Sequence, residues 1–321
     1  MTAPLSEFEL IARLAARLKP PGVPGAVGIG DDCAALPDGG GFLLLTCDAA
    51  VEGRHFTPGR TSHAAIGWRI ATANVSDIVA CGGRPTAALV SLGVPPGLPP
   101  ETLDALYDGL ARAAGHYGFD VLGGNVSGSG QLWVDLFMLG RAGRFISRAG
   151  AQPGDLLAVS GPLGDSAAGL ALLLQGKAPP TPPPHADALM ERHLRPLARL
   201  DLVEPLAQAA TAAIDISDGL ASELHHLAAR SGVRLDVEAE RIPRSPELIA
   251  CAAAMGWDPL RMALGSGEEY ALLFTVPRGG GLSAFGGLGT RIIGEVRAGA
   301  GVYLDGEPLA PAGWDHLRPP T

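Results

Sequence analysis

The chain has 321 residues, 47% of them hydrophobic, and a formal net charge of −9. That length suits two domains of ordinary size better than one small core. The acidic balance excludes non-specific nucleic-acid binding, which needs a basic face against the phosphates.

In chain order, the first predicted element is a helix over 6–18, with Phe8, Ile11, Leu14 and Leu18 at helical spacing. Ser6 and Glu9 form a capping box for it. Glu7 and Glu9 make this start unlike a signal peptide. A Gly/Pro-rich passage leads to GIGDDCAAL and an apolar strand at 42–46. Residues 63–81 read as a helix ended by Gly82-Gly83 and Pro85. Strands are expected at 86–94 and 131–140, with a helix over about 101–117 between them. A hydrophilic turn at 148–155 then precedes a strand at 156–160 and the glycine-rich helix entrance GPLGDSAAGL. This change of character puts a boundary between 140 and 150, giving domains at 1–145 and 146–321. The proline tract at 179–184 reads as a surface insertion. Helix and strand alternate to the C-terminus, so the class is α/β (α+β), with no internal repeat.

The longest apolar stretch, at 167–174, is far short of a membrane span, so a soluble protein with no membrane partner is expected. Cys33, Cys47, Cys81 and Cys251 form no CxxC pair. Reduced thiols in a cytoplasmic enzyme are the expectation, rather than disulfides or a zinc site.

No G-x-x-x-x-G-K-[ST] loop, kinase-type glycine loop or G-x-S-x-G elbow is present. His225 and His226 are adjacent on a predicted helix, roughly 100° apart, which suits structural roles better than joint chelation. The positive signal is a set of aspartates in Gly/Ser-rich turns: Asp31 and Asp32, Asp48, Asp77, Asp215 and Asp218. Any one alone reads as an Asx-turn or cap. Asp77, however, continues the helical face of Ile66, Ile70 and Asn74, and a carboxylate on an apolar face must find a cationic partner. Asp48 is expected to end an apolar strand, where α/β folds place ligand groups. Hard oxygen donors without His or Cys companions favour Mg²⁺.

GIGDDCAAL, TCDAAVEGRHF, NVSDIVACGGRP, SRAGAQPGD, GPLGDSAAGL, RHLRP, AIDISDGLASELHHL and GSGEEYALLF follow one another along the chain. In that order they resemble the thiamine-monophosphate kinases, part of the wider aminoimidazole ribonucleotide synthetase-like (PurM-like) family. The likeness runs from about Ser6 to Trp314. It implies a two-domain PurM-like fold, whose N-terminal domain pairs with a second copy in a barrel-like homodimer interface. It also implies several Mg²⁺ ions held by Asp32, Asp48, Asp77, Asp215 and Asp218, with Thr46, Cys47 and Asn125 in the same set. Gly124, Asn125, Arg148 and Ser217 fall where the family binds ATP, and His55, Glu268 and Trp314 where it binds thiamine monophosphate. Two positions depart from the family pattern. Asn125 replaces the Asp of GGD and removes one negative charge, and Cys47 replaces a Thr, leaving only a backbone carbonyl to coordinate there.

The implied reaction moves the γ-phosphoryl group of ATP to thiamine monophosphate. Its nucleophile, a phosphate oxygen with a second pKa of about 6, needs no protein base. Among wider relatives, a selenophosphate synthetase would want a Cys before Cys33, and the hydrogenase-maturation type a C-terminal Cys. A purine-pathway synthetase shares GGN but not VEGRHF or GSGEEYALLF. A non-catalytic thiamine-phosphate-binding paralogue would differ only in lacking turnover.

Overall fold

The computed structural model describes residues 5–175, 182–279, 281–314 and 316–317, so part of the proline tract lies outside it. Helix α1 is Glu7–Ala15, and its capping box forms as expected, with Ser6 N–H donating to Glu9 Oε2 at 2.7 Å. It ends three residues earlier than its apolar spacing suggests and buries none of its residues. Phe8 stacks on His226, ring centroids 4.0 Å apart.

The first sheet is built from β1 (Ala34–Asp38), β2 (Gly41–Val51), β3 (Arg84–Val94), β4 (Asp120–Gly128) and β5 (Trp133–Ala142), in the order β1-β2-β5-β3-β4. Two helices, α2 (His63–Ala80) and α3 (Pro100–Tyr117), intervene in the chain. Here the structure corrects the sequence reading in two places. Strand β2 does not stop at Thr46, because pairing with β5 continues to Val51 opposite Trp133 and carries Cys47 and Asp48 into the ladder. Asp48 therefore sits within a strand, not at its end. Strand β4 holds the Gly123-Gly124-Asn125 segment, whose composition reads as a turn. Parallel pairing with β3 overrides that local preference. Gly124 is required there, since a Cβ would lie 1.7 Å from the Val90 carbonyl oxygen.

Helices α2 and α3 pack closely through Gly67, where a Cβ would meet the Leu106 carbonyl oxygen at 2.0 Å. Between them and the sheet lies a core that includes Leu44, Ile66, Ile78, Leu110, Leu136 and Met138. From Ala65 to Ala80 of α2, every residue except Asp77 is buried. The opposite sheet face is open, with Leu89, Phe137 and Val121 exposed. Edge strand β4 is exposed throughout, Leu122 by 70% and Val126 by 67%.

The second half adds β6 (Leu156–Val159), α4 (Asp165–Leu174), α5 (Ala186–Leu194), α6 (Val203–Ala209), β7 (Ala212–Ile216), α7 (Leu220–Ser231) and β8 (Arg234–Val237). After these come α8 (Pro246–Met255), α9 (Pro259–Gly265), β9 (Ala271–Val276), β10 (Arg291–Arg297), β11 (Gly301–Leu304) and β12 (Glu307–Pro308). Their sheet runs β12-β11-β8-β10-β6-β9-β7. A second core, with Leu157, Ile214, Leu224, Leu235 and Ile293, fills this half. The halves meet along α2: Trp68 Nε1–H donates to the Pro196 carbonyl at 2.8 Å, and Ser76 Oγ–H to Asp215 Oδ2 at 2.8 Å. No helix among the described residues is long and apolar enough to cross a membrane.

Candidate active site

The site forms where α2, β2, the Asp31-Asp32 loop and β7 converge. Thr46 and Asp48, two apart on β2, share the inward face by strand alternation. Thr46 Oγ1–H donates to Asp77 Oδ2 at 2.5 Å. Carboxylate oxygens of Asp32, Asp77 and Asp215 all lie within 4.8 Å of one another. Burial, then the charge of Asp135, raises Asp48 to about 6. Burial first, and then the neighbouring carboxylates, raises Asp77 and Asp215 well above the usual range. Asp32 Oδ2 is buried without a hydrogen-bond partner. Gathered oxygen donors, mutual repulsion and an orphaned buried carboxylate oxygen fit a hard divalent cation.

Arg148 stands at the edge of this group, its guanidinium paired with Asp32. Burial alone would lower its pKa, but the charge of Asp32 more than reverses that. Asp31 fixes the approach of the loop, accepting Ser147 Oγ–H at 2.5 Å and the Arg148 backbone N–H at 3.2 Å.

A second group is built around Glu268, tied to α2 and to the DISDG turn. Glu268 pairs with the buried Arg69 of α2, and its Oε2 is 3.7 Å from His193 Nδ1. Its backbone N–H reaches the Ser217 carbonyl at 2.7 Å, so the acidic loop and the DISDG turn are tied together. Glu268 and Tyr270 have φ of 58° and 52°, a left-handed conformation that costs non-glycine residues about 1–3 kcal/mol each. His55 accepts the Val51 N–H on Nδ1 at 3.0 Å, which leaves the proton on Nε2. Its ring lies 4.8 Å from His316, whose Nδ1 accepts Trp314 Nε1–H at 3.1 Å. The Trp314 backbone N–H in turn donates to the Asp218 carbonyl at 3.1 Å. The acceptor-side residues named from sequence thus form a connected group, and it is tied to the aspartate turn.

Other named residues fall elsewhere. Cys47 is exposed and projects to the sheet face opposite Asp48, so its thiol does not face the carboxylates. Asn125 is level with Ser91 and Asp135, whereas Asp48 is level with Leu136, Val90 and Gly124. Asn125 accordingly leaves the sheet on the same face as Cys47. Asp218 lies beside the cluster, its backbone N–H capped by Glu223 Oε1 at 2.9 Å. His225 Nε2–H donates to the Leu309 carbonyl at 2.9 Å, and His226 lies against Phe8, both structural placements.

Sequence reasoning missed Glu223, Arg69 and His316. Glu223 is buried, with Oε2 unpartnered, and burial raises its pKa well above the usual range. Arg69 had a legible signal, because it and Asp77 are the only Asp, Glu, Lys or Arg residues in the 18 residues of α2. His316 had none, since its partner His55 is remote in the chain.

This arrangement can be set beside known proteins. Residues 30–142 match the N-terminal domain, and residues 152–307 the C-terminal domain, of AIR synthase related proteins. The thiamine-monophosphate kinase of Aquifex aeolicus is 43% identical over 289 residues, covering 90% of this chain and 92% of that one. That of Salmonella typhimurium is 37% identical over 328 residues, covering 98% and 99%. A solved structure of AaThiL complexed with AMPPCP and TMP matches with a TM-score of 0.90 at 41% identity, covering 97% of each chain. The chain belongs to the AIR synthase related family and, within it, to the thiamine-monophosphate kinases.

Proposed function

We propose that this chain transfers the γ-phosphoryl group of ATP to thiamine monophosphate, giving thiamine diphosphate and ADP, with Mg²⁺ held by its aspartates. The observation that carries the reading is the convergence of Asp32, Asp77 and Asp215 beside Arg148, one helix away from Glu268. Asp48, Asp218, Thr46, the Cys47 carbonyl and Asn125 complete the proposed metal set. Bound magnesium supplies charge neutralisation and in-line alignment of the two anions.

The protein's own groups supply the rest. Arg148 offers a buried cation to the nucleotide phosphates, with Ser217 next to them. On the acceptor side, Glu268 presents a carboxylate held ionised, and burial keeps the His55 ring neutral. Trp314, 38% exposed, offers a ring face suited to a cationic heteroaromatic. The acceptor phosphate is itself the nucleophile, so no protein base enters the scheme. Incubating the protein with ATP, Mg²⁺ and thiamine monophosphate, thiamine or a purine-pathway ribonucleotide in turn tests the assignment. Product from the ribonucleotide alone sinks it.

The proposal extends to two working domains, 1–145 and 146–321, in a cytoplasmic homodimer. The open sheet face with Leu89 and Phe137, and the fully exposed edge β4, support a covering second copy. A monomer by light scattering at micromolar concentration would remove this part. Gly124 and Asn125 lie on that edge strand, so their contribution to ATP is proposed through the dimer. Asn125 offers one neutral oxygen where a carboxylate would attract the cation more strongly. Asn125→Asp is expected to lower the Mg²⁺ concentration for half-maximal activity about threefold or more. Magnesium titration of both proteins checks this, and an unchanged midpoint removes Asn125 from the metal set.

A further inference from the structure

We infer that Arg69 is a positioning residue for the acceptor, clamping Glu268 from within α2; the inference rests on the acceptor-site reading above. Arg69 is buried to 6% exposure, in a helix that spends only two such charges. Its guanidinium meets Glu268 Oε1, while His193 faces Oε2 and is itself anchored to Ser166 Oγ at 3.0 Å. Each carboxylate oxygen thus has its own neighbour, and the Glu268 backbone is pinned to Ser217. An ionised, immobile carboxylate with 27% of its side chain still exposed is built to receive an N–H or cationic group from a ligand. Arg69 Nε is buried without a hydrogen-bond partner, a cost that stability alone does not explain.

The position of Arg69 on α2 adds a second function to the clamp. Ser76, seven residues on, lies on nearly the same helical face, about 10.5 Å along the axis. Ser76 holds Asp215 of the metal group. One rigid, buried helix therefore sets the separation between the acceptor's ring end and the reacting phosphates. Burial would raise the pKa of Glu268, but Arg69 and then His193 hold it below its usual value. The ionisable groups facing it are Arg69, His193, His55 and Tyr270.

A double-mutant cycle tests this. Kinetics for both substrates, and calorimetric affinity for thiamine monophosphate, are measured for wild type, Arg69→Met, Glu268→Gln and the double variant. Arg69→Met is expected to raise the acceptor KM and Kd about 30-fold, with the ATP KM within about twofold. The double variant is expected to be no worse than Glu268→Gln alone, because no carboxylate remains to be positioned. Arg69→Lys, which restores the charge, is expected to recover most of the loss, and the uncharged Arg69→Gln replaces Arg69→Met in the cycle should that variant not fold. Additive effects, an unchanged acceptor KM, or an equal rise in the ATP KM would overturn the clamp. Wild type that binds the acceptor without turnover removes the kinase reading yet leaves the cycle decisive through affinity. Absence of acceptor binding by wild type overturns both.

Discussion

Asp215→Asn is expected to lower turnover by about 10³-fold or more, while leaving the metal-free protein as stable as wild type or more so. Asp215 is buried on β7, and its carboxylate is held away from easy ionisation by burial and by Asp32. An amide has nearly the same shape and still accepts the Ser76 hydroxyl, so the fold loses little. What disappears is one of the repelling charges, a relief without metal and a loss of cation affinity with it. A merely structural aspartate would give the reverse pattern: a lower melting temperature, with normal activity in the folded fraction. Paired melting curves and turnover measurements separate the two.

Removing magnesium with EDTA is expected to abolish calorimetrically detectable ATP binding. The sequence has no P-loop lysine to meet the phosphates, and the residues proposed to face them are mostly carboxylates, which repel ATP unless a cation intervenes. The same charges predict a pH effect. Asp48, at about 6, and Asp77 and Asp215, raised well above the usual carboxylate range, are acids whose native pKa exceeds the unfolded value. Their stabilising contribution is full below the unfolded pKa and is lost as pH rises through the native one. The buried His193 and half-buried His226, lowered to about 4, oppose this only below their unfolded pKa of about 6.5. Metal-free protein is therefore expected to melt lower at pH 8.5 than at pH 6.5, and Mg²⁺ to raise the melting temperature more at pH 8.5. ATP binding of equal strength in EDTA, or a Mg²⁺ effect that shrinks with pH, contradicts the cluster as a metal site.

The aspartates were legible because carboxylates in glycine- or serine-rich turns, or on an apolar strand or helix face as at Asp48 and Asp77, are not demanded by folding alone. Their convergence was not, since it depends on one loop, β2, α2 and β7 meeting in space. Asp77 shows how far pattern reasoning reaches: its helical face predicted a buried environment and a partner, but not that Thr46 and Asp215 would surround it. The extension of β2 through Asp48 and the whole of β4 were missed because polar and glycine residues there read as turns. Only pairing with β5 and β3 makes them strands. The Arg69–Glu268 pair spans 199 positions, beyond any local signal, although an arginine in a helix whose only other such charge is Asp77 marked one end.

The central claim, direct transfer between two phosphates without a protein nucleophile or base, is tested most directly by ³¹P NMR of the complete reaction. Wild-type protein with ATP, Mg²⁺ and thiamine monophosphate is predicted to convert the acceptor's single phosphorus resonance into the coupled pair of thiamine diphosphate. ADP should appear in equal amount, with no inorganic phosphate accumulating. Release of inorganic phosphate in step with ADP, or an unchanged acceptor resonance despite intact binding of both substrates, would contradict it.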